Sequence, residues 1–449
     1  MRSVVVREYA RLTTAPVAQP TLDQAQIPES AFEWLCKESA RLRQSGASLV
    51  QLDDRRWLRL DNYVGVIETP CGTRIEILPK CVDGADEVES ARRVLRKMLA
   101  RCLNLPTRET GPTSIQTFTA PLTEWVMGQF LAELEHLIKR GVRFDYRSVR
   151  EQQRYLRGRL DVTRQLRQPP GRQHLFQIEH DLFDADRPEN RLLRTALDRV
   201  CRITRDPGNW RLSHELATFL APVPPCQDVA NDFRRWRDDR LMAHYRPVRP
   251  WCSLILNEQT PLSILGEWHG ASLLFPMEKV FERYVEACLR RSLPPDAVFT
   301  PSASSQHLCS HKGESWFLLK PDFLVQRGHQ RWVLDTKWKR LDESRGGSLD
   351  KYGLSQADFY QLFVYGQRYL EGQGTMLLVY PKTSAFQAPL GEFAFDDKLR
   401  LVVVPFDLEQ GCFAGDIAPW WSMKGVARTP LKQALWTSVG PTKREHLRQ

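Results

Sequence analysis

Two aspartates lie inside apolar runs of the sequence that otherwise look like buried strands. The first run, LLKPDFLVQ, contains Asp322, and the second, RWVLDTKWK, contains Asp335 and, two residues later, Lys337. Neighbouring carboxylates can hold Mg²⁺, which takes oxygen ligands and keeps several waters. Such an ion activates a water and neutralises charge on a phosphodiester, while a nearby ammonium orients or deprotonates that water. These residue types therefore predict metal-assisted hydrolysis of a phosphodiester.

The short turn between the two runs predicts how the aspartates meet. A hairpin turn centred on Gly328 and His329 would place Asp322 directly opposite Asp335, and glycine at its first position suits a type II′ turn. Cβ atoms in such a pair lie roughly 4.5 to 5.5 Å apart, a repulsive arrangement unless a cation neutralises it. Lys337 would then lie on the same face as Asp335. The alternative is that both aspartates are ordinary strand-end acids paired with nearby lysines.

The elements around the hairpin must position these side chains. From Pro276 onward the pattern predicts a helix with one apolar face, a short extended piece near 297–300, and a strand that runs unbroken over 315–326. The second hairpin strand, a helix over 356–371 and an interior strand over 375–382 follow. This order, αβββαβ, predicts a compact α/β unit.

Two helices of this unit offer further polar side chains. On the first helix, glutamates recur every four residues, and Glu282, which follows the apolar Phe281, is the predicted third acid. The second helix is predicted to begin with Ser355 as its cap and Asp358 as the partner of that cap.

Size and composition indicate a folded protein of two or three domains. The chain has 449 residues, of which 42% are hydrophobic and 26% charged. We expect it to be cytoplasmic and not to contact a membrane, because no signal-peptide pattern or long apolar stretch is present. Its ten cysteines include no CxxC pair. The HLCSH stretch at 307–311 gives little support for a zinc site, because a second pair of ligands is missing.

Positive charge is concentrated in one segment of the chain. The net charge is +10, and eleven Lys or Arg lie between 139 and 172 against three acids. Aromatic residues such as Tyr155 are interleaved with them, so this segment could hold phosphates with its cations and bases with its rings. We single out Arg154, Arg157 and Arg159 as candidate DNA contacts. The alternative is a solvated surface whose charges pair with acids elsewhere in the fold.

Changes of pattern along the chain predict three regions. Residues 1–112 form a mixed α/β domain rich in strands, and residues 113–250 form a mainly helical basic region. A proline-rich connector (245–252) leads into residues 251–449, which hold the αβββαβ unit and a C-terminal extension. The predicted fold class is therefore multidomain α/β.

The hairpin residues match the motif of the PD-(D/E)xK nuclease superfamily, as Pro321-Asp322 followed by Asp335-Thr336-Lys337. Beyond that motif, the chain resembles the McrC family, the nuclease subunits of 5-methylcytosine-dependent restriction systems. The matching stretches occur in family order: RIEILPK (74–80), YLRGRLDVT (155–163), ADRPENRLLRTAL (185–197), MEKVFERYVEACL (277–289), the two aspartate motifs, and QADFYQLFVYGQRYL (356–370).

This resemblance implies an endonuclease with a restriction-endonuclease-like core that cleaves double-stranded DNA by metal-activated water and uses Mg²⁺, with Mn²⁺ as a substitute. Asp322, Asp335 and the backbone carbonyl of Thr336 would be metal ligands, and Lys337 the catalytic lysine. Glu282 would be the helix acid and Gln361 an accessory polar residue.

The resemblance also implies a partner, an McrB-like AAA+ GTPase hexamer on which the N-terminal domain docks and whose GTP hydrolysis it stimulates. The sequence contains no GxxxxGK[ST] motif, so nucleotide hydrolysis would take place on that other chain. Two alternatives stay open: a non-catalytic subunit that binds DNA and stimulates the GTPase, and a nuclease that acts alone in repair or on RNA.

Overall fold

The protein is mixed α/β, which confirms the coarse fold class predicted from its sequence. The computed structural model describes residues 3–43, 49–54, 56–81, 87–106, 121–172, 174–256, 273–347 and 349–421. None of the helices in these ranges is both long and apolar enough to cross a membrane.

The N-terminal part consists of two four-stranded sheets and two helices. Its elements are β1 (Ser3–Arg7), β2 (Arg11–Thr13), β3 (Gln24–Gln26), α1 (Glu29–Arg43), β4 (Val50–Asp54), β5 (Trp57–Leu60), β6 (Tyr63–Glu68), β7 (Arg74–Leu78) and α2 (Glu87–Cys102). One sheet has the order β3-β2-β5-β4. The other contains β1, β7 and β6, and both sheets pack with α1 around one apolar core.

A strand from much later in the chain completes the second sheet. This strand, β11 (Leu273–Pro276), pairs antiparallel with β6, so the sheet order is β1-β7-β6-β11. The two strands approach closely at Gly65, where φ is +131° and an added Cβ would lie 1.9 Å from the carbonyl oxygen of Leu273. Glycine is therefore required at this position. The domain boundary near 250 remains a prediction, but the segment just beyond it takes part in the N-terminal sheet.

The middle of the chain is mainly helical, with one small sheet. Its elements are α3 (Leu122–Arg140), β8 (Asp145–Gln153), β9 (Arg159–Leu160), α4 (Val162–Leu166), β10 (Phe176–Asp184), α5 (Pro188–Ile203), α6 (Pro207–Phe219), α7 (Val229–Arg235), a 3₁₀ helix (Arg240–Tyr245) and α8 (Val248–Ile255). The strands form a sheet of order β8-β10-β9. The basic segment thus lies mostly on this sheet and its connections.

The C-terminal part is built on one twisted mixed sheet. Its elements are α9 (Met277–Ser292), β12 (Val298–Pro301), β13 (Gln306–His311), β14 (Glu314–Leu319), β15 (Phe323–Arg327), β16 (Gln330–Thr336), two 3₁₀ helices (Glu343–Arg345 and Lys351–Gly353), α10 (Gln356–Tyr369), β17 (Gly374–Pro381), β18 (Phe393–Ala394), β19 (Leu399–Asp407) and β20 (Cys412–Phe413). The strand order is β12-β15-β16-β17-β19-β18, with β20 paired to β19. The helices α9 and α10 pack on opposite faces of this sheet.

One predicted strand is in fact two. The prediction of an unbroken strand over 315–326 was wrong, because β14 ends at Leu319 and β15 begins at Phe323. Pro321, between them, has no backbone N–H to donate to a ladder. The strand β14 pairs instead with β13, forming a separate hairpin inserted into the αβββαβ order.

The register of the central hairpin is the predicted one. The pairs run from Arg327 with Gln330 to Phe323 with Leu334, and Gly328 has a φ of +59°. One step further along the same register lie Asp322 and Asp335.

Candidate active site

The end of strand β16 positions Asp335 and Lys337. Trp332 and Leu334 belong to the core on the α9 side of the sheet, whereas Val333 belongs to the core on the α10 side. Because side chains alternate along a strand, Asp335 and Lys337 also lie on the α10 side. Asp335 is only 2% exposed.

Asp322 is held against β16 by two hydrogen bonds. Its Oδ2 accepts one from the Thr336 backbone N–H at 2.7 Å and one from the Thr336 hydroxyl at 2.6 Å. The Asp322 carbonyl oxygen also accepts a hydrogen bond from the Ser302 N–H at 2.7 Å. One carboxylate oxygen of Asp322 is therefore fixed by Thr336, which orients the other oxygen. This role of the Thr336 hydroxyl could not be predicted from the sequence.

Lys337 lies at the centre of a group of polar side chains. Its Nζ lies 2.7 Å from Asp335 Oδ2 and 3.9 Å from Asp358 Oδ1. It also donates to Gln361 Oε1 at 3.2 Å. Burial lowers the pKa of Lys337, but the carboxylates of Asp335, Asp358 and Asp322 outweigh it, so its pKa is raised above the ordinary value. The ammonium is therefore protonated at neutral pH.

Gln361 belongs to a chain of hydrogen bonds along α10. Its Nε2 donates to the Tyr365 hydroxyl at 2.8 Å, and that hydroxyl donates to the Lys320 carbonyl oxygen at 3.0 Å. The amide is thus oriented with its oxygen toward Lys337. Tyr365 was missed from the sequence, although its spacing of four from Gln361 on one helix could have identified it.

The predicted capping role of Asp358 was wrong. Ser355 makes no side-chain cap at the start of α10, so the predicted capping pair is absent. Asp358 instead lies beside Lys337 and accepts a hydrogen bond from the Tyr380 hydroxyl at 3.3 Å. A spacing of three before Gln361 places both residues on the same helix face.

Burial and neighbouring acids raise the pKa values of both aspartates. Burial, then Asp335 and Glu282, raise the pKa of Asp322 to about 7, against the opposing hydrogen bonds from Thr336. Burial also raises the pKa of Asp335, although Lys337 opposes it. Glu282 is close enough to affect both, while its own carboxylate is 2.8 Å from Lys279 Nζ. A positive charge added between the aspartates would relieve this repulsion.

The donor set fits Mg²⁺. Asp335 Oδ2 is buried and, apart from the ion pair with Lys337, accepts no hydrogen bond from the residues that the structure describes. Carboxylate oxygens are the ligands that Mg²⁺ prefers, and one or two suffice when water and substrate supply the rest. Over the residues that the structure describes, no three His, Cys, Asp or Glu side chains form a metal-binding group, the HLCSH stretch on β13 included.

The predicted DNA contacts lie on strand β9 of the three-stranded sheet and on the connection that leads from β8 to it. Arg154, Arg157 and Arg159 are exposed and form no ion pair with the described residues. Other arginines of the basic segment do pair: Arg147 with Asp184, and Arg150 with Glu179. The ion pairs expected of a solvated surface are thus present at Arg147 and Arg150, and the three DNA contacts stay a prediction.

Exposed aromatic rings accompany these arginines. Phe144 stacks on Phe183 with ring centroids 5.4 Å apart, and Tyr146 lies 4.9 Å from Phe183. All three side chains are exposed.

Comparisons with known proteins agree with this architecture. The model of a family described as McrBC 5-methylcytosine restriction system component matches residues 58–381. No curated protein matches the chain. The chain is similar to a solved structure described as a refined half-complex from the tetradecameric assembly of Thermococcus gammatolerans McrB AAA+ hexamers with bound McrC. The TM-score is 0.67 and the sequence identity 20%, and the match covers 90% of this chain and 94% of that chain.

A cryo-EM structure of the Thermococcus gammatolerans McrBC complex has a TM-score of 0.50 and 19% identity, covering 65% of this chain and 88% of that chain. At such identities the structures show a shared fold. The family model, in contrast, spans more than half of the sequence. The chain therefore belongs to the McrBC family of 5-methylcytosine restriction system components, and its resemblance to McrC is confirmed.

Proposed function

We propose that this chain is a Mg²⁺-dependent DNA endonuclease of the PD-(D/E)xK type, acting in modification-dependent restriction together with an AAA+ GTPase. The observation that carries the proposal is the convergence of Asp322, Asp335, Lys337 and Gln361 at one end of the sheet. Burying two neighbouring carboxylates raises the pKa of both, which costs folding free energy. A subunit that only binds DNA has no need for that arrangement.

The residues would divide the work as follows. Asp322 and Asp335 would hold the ion, with the Thr336 carbonyl as a further oxygen ligand and Mn²⁺ as a substitute. When bound, the ion supplies an activated water and neutralises charge that develops on the phosphodiester. Because the pKa of Lys337 is raised, its ammonium would act as a hydrogen-bond donor to the attacking water or a phosphate oxygen, rather than as a base.

Two further residues would support this centre. Gln361 would keep the Lys337 ammonium in place through its oriented amide oxygen. Glu282, from the helix on the other side of the sheet, would be the third acid and would act on the ion through water.

The solved structures that share this fold support a proposal for the partner. The solved relatives belong to assemblies of McrB AAA+ hexamers with bound McrC. We extend this to an McrB-like GTPase hexamer that binds residues 1–112 of this chain, and whose GTP hydrolysis the chain stimulates. Double-stranded DNA and GTP meet in the cytoplasm, where we place the complex.

A cleavage assay tests the proposal. The chain is mixed with its AAA+ partner, GTP and methylated plasmid DNA, in Mg²⁺ or in a chelator. We expect nicked or linear DNA only when Mg²⁺ and the partner are both present, and restored cleavage when Mn²⁺ replaces Mg²⁺. Stimulated GTP hydrolysis without DNA breaks would instead support the non-catalytic subunit, and cleavage without the partner would support a nuclease that acts alone.

The exposed arginines of the small sheet give a second prediction. If Arg154, Arg157 and Arg159 contact phosphates, changing all three to Glu should weaken DNA binding and reduce the slope of log K against log salt by about 2 to 3. Binding is measured by fluorescence anisotropy over a range of salt concentrations.

The matched control changes three exposed arginines of the helical region, Arg211, Arg234 and Arg240, to Glu. This control alters the net charge equally and should leave the salt slope near that of the parent. An unchanged slope in the first variant would assign its arginines to another role, such as docking to the partner.

A further inference from the structure

The residue after Lys337 connects the candidate active site to the N-terminal domain. Trp338 is buried, and its indole Nε1–H donates a hydrogen bond to Glu8 Oε1 at 2.6 Å. Glu8 follows strand β1, so this bond joins two segments 330 residues apart in sequence. No feature of either segment in the sequence indicates this contact.

Burial and hydrogen bonds hold the Glu8 carboxylate in one orientation. The side chain is fully buried. Its Oε1 also accepts a hydrogen bond from the Lys80 backbone N–H at 2.9 Å, and its Oε2 lies 3.7 Å from Lys80 Nζ without a hydrogen bond. Burial raises the pKa of Glu8, and Lys80 only partly opposes this. A buried carboxylate of this kind is costly, whereas an apolar residue would fill the same space at lower cost.

Three residues that follow strand β16 form hydrogen bonds that hold the chain in place. The Lys337 backbone N–H donates to the Val379 carbonyl oxygen at 2.9 Å, which keeps that residue on the sheet. Trp338 then bonds to Glu8, and Arg340 donates to the Lys80 carbonyl oxygen at 3.1 Å. Two side-chain contacts to the N-terminal domain, from Trp338 and Arg340, therefore hold the chain directly after Lys337.

The ring of Trp338 also touches the helix on the other side of the site. Its centroid is 5.3 Å from that of Phe281, the neighbour of Glu282. Trp338 is thus packed against α9 while its N–H is held by Glu8. Rotation of the indole would disturb the position of Lys337 on one side and the helix carrying Glu282 on the other.

We infer that Glu8 is a positioning residue, which orients Trp338 and thereby sets the location of the Lys337 ammonium from the N-terminal domain. This inference rests on the proposed function, because Lys337 must take part in cleavage for its position to matter. It goes further by making the N-terminal domain, where the partner would dock, a part of the catalytic geometry. Displacing a reacting group by about 1 Å can cost about a hundredfold in rate.

The test separates orientation from simple stabilisation. Trp338→Phe removes the indole N–H but keeps an aromatic ring against Phe281. We expect kcat for DNA cleavage with the partner and Mg²⁺ to fall about 10- to 100-fold, with KM for DNA within about twofold of the parent. Glu8→Gln keeps an oxygen acceptor for Trp338, and should retain kcat within about threefold.

The matched control is Trp332→Phe. Trp332 lies on strand β16, which ends two residues before Trp338. It is as buried as Trp338, at 4% exposure, and donates its indole N–H to the Trp420 carbonyl oxygen at 2.9 Å. The Trp332→Phe variant therefore loses a comparable hydrogen bond, but one that does not reach the N-terminal domain. Its kcat should stay near that of the parent even if its unfolding temperature falls.

Stimulation of the partner's GTPase supplies the second readout. If Trp338 only stabilises the fold, the Trp338→Phe variant should lose cleavage and GTPase stimulation in equal proportion, because both activities fall with the amount of folded chain. Proportional losses, or a Trp338→Phe variant with the kcat of the parent, would overturn the inference while the proposed function stands. A parent chain that never cleaves DNA would overturn the proposed function, and this inference with it.

Discussion

Replacing Asp335 by alanine should lower DNA cleavage at least about a thousandfold while leaving GTPase stimulation and DNA binding within about twofold of the parent. Asp335 supplies a buried carboxylate oxygen whose one close partner among the described residues is the Lys337 ammonium. Its removal would eliminate one of the two proposed acidic ligands for the ion and the closest carboxylate partner of that lysine. Losing a group that stabilises the transition state commonly costs 10²- to 10³-fold, and here two such contributions are lost together.

The fold should tolerate this change. Burial raises the pKa of Asp335, so its carboxylate opposes folding, and Lys337 keeps Gln361 and Asp358 as neighbours. Unfolding temperature, DNA binding and GTPase stimulation are therefore measured beside plasmid cleavage. The control is Asp397→Ala, which removes an exposed carboxylate. Cleavage by Asp335→Ala at more than about a tenth of the parent rate would contradict a catalytic role for this carboxylate.

Changing Asp322 to asparagine should make the metal-free protein more stable at pH 8. The pKa of Asp322 is about 7 in the folded state, whereas an unfolded aspartate titrates near 4. Between these values the folded state binds more protons, so the parent loses stability as pH rises from about 4 to about 7. Asparagine has no such loss and can still accept the hydrogen bonds from Thr336. We expect the unfolding temperature of the variant to exceed that of the parent by about 4 °C at pH 8.

This difference in unfolding temperature should disappear near pH 4. Adding Mg²⁺ at pH 8 should shift the difference in favour of the parent. At pH 8 the parent should gain stability with Mg²⁺, because binding to the folded state alone stabilises it. Asp322→Asn should gain little. Differential scanning calorimetry at pH 4 and 8, with chelator or Mg²⁺, checks both effects, and Asp397→Asn serves as the control. A stability difference that does not change with pH, or full stabilisation of the variant by Mg²⁺, would contradict the predicted site.

The hairpin shows how far sequence reasoning reaches at this site. The two-residue turn determined the register, since a slip by one residue would have moved every apolar side chain to the other face. Lys337 followed from strand alternation and Gln361 from the family resemblance. The register and the face of Lys337 depend on local geometry, which a short stretch of sequence contains, whereas Gln361 could not be selected from local geometry.

Other features depend on tertiary contacts that local patterns do not contain. Asp358 looked like a helix-capping residue, but the ammonium of Lys337 offers it a stronger partner than a backbone N–H. The break between β14 and β15 was overlooked because the apolar run continues through Pro321, and apolarity alone does not distinguish one strand from two. The contact of Glu8 with Trp338 joins residues 330 positions apart, and no spacing rule predicts such a pair.

The short strand β11 limits how this protein could have been assembled in evolution. Its side chains alternate between two cores: Leu274 packs in the N-terminal core, while Leu273 and Phe275 pack in the large core shared with α9. The strand runs without a linker into α9, whose first N–H, on Met277, donates to the Asn62 carbonyl oxygen. A recombination event that exchanged the C-terminal part from the predicted boundary near 250 onward would remove β11 and leave β6 unpaired at the edge of the N-terminal sheet. Inheritance of the two parts as a single unit is therefore favoured over shuffling between them.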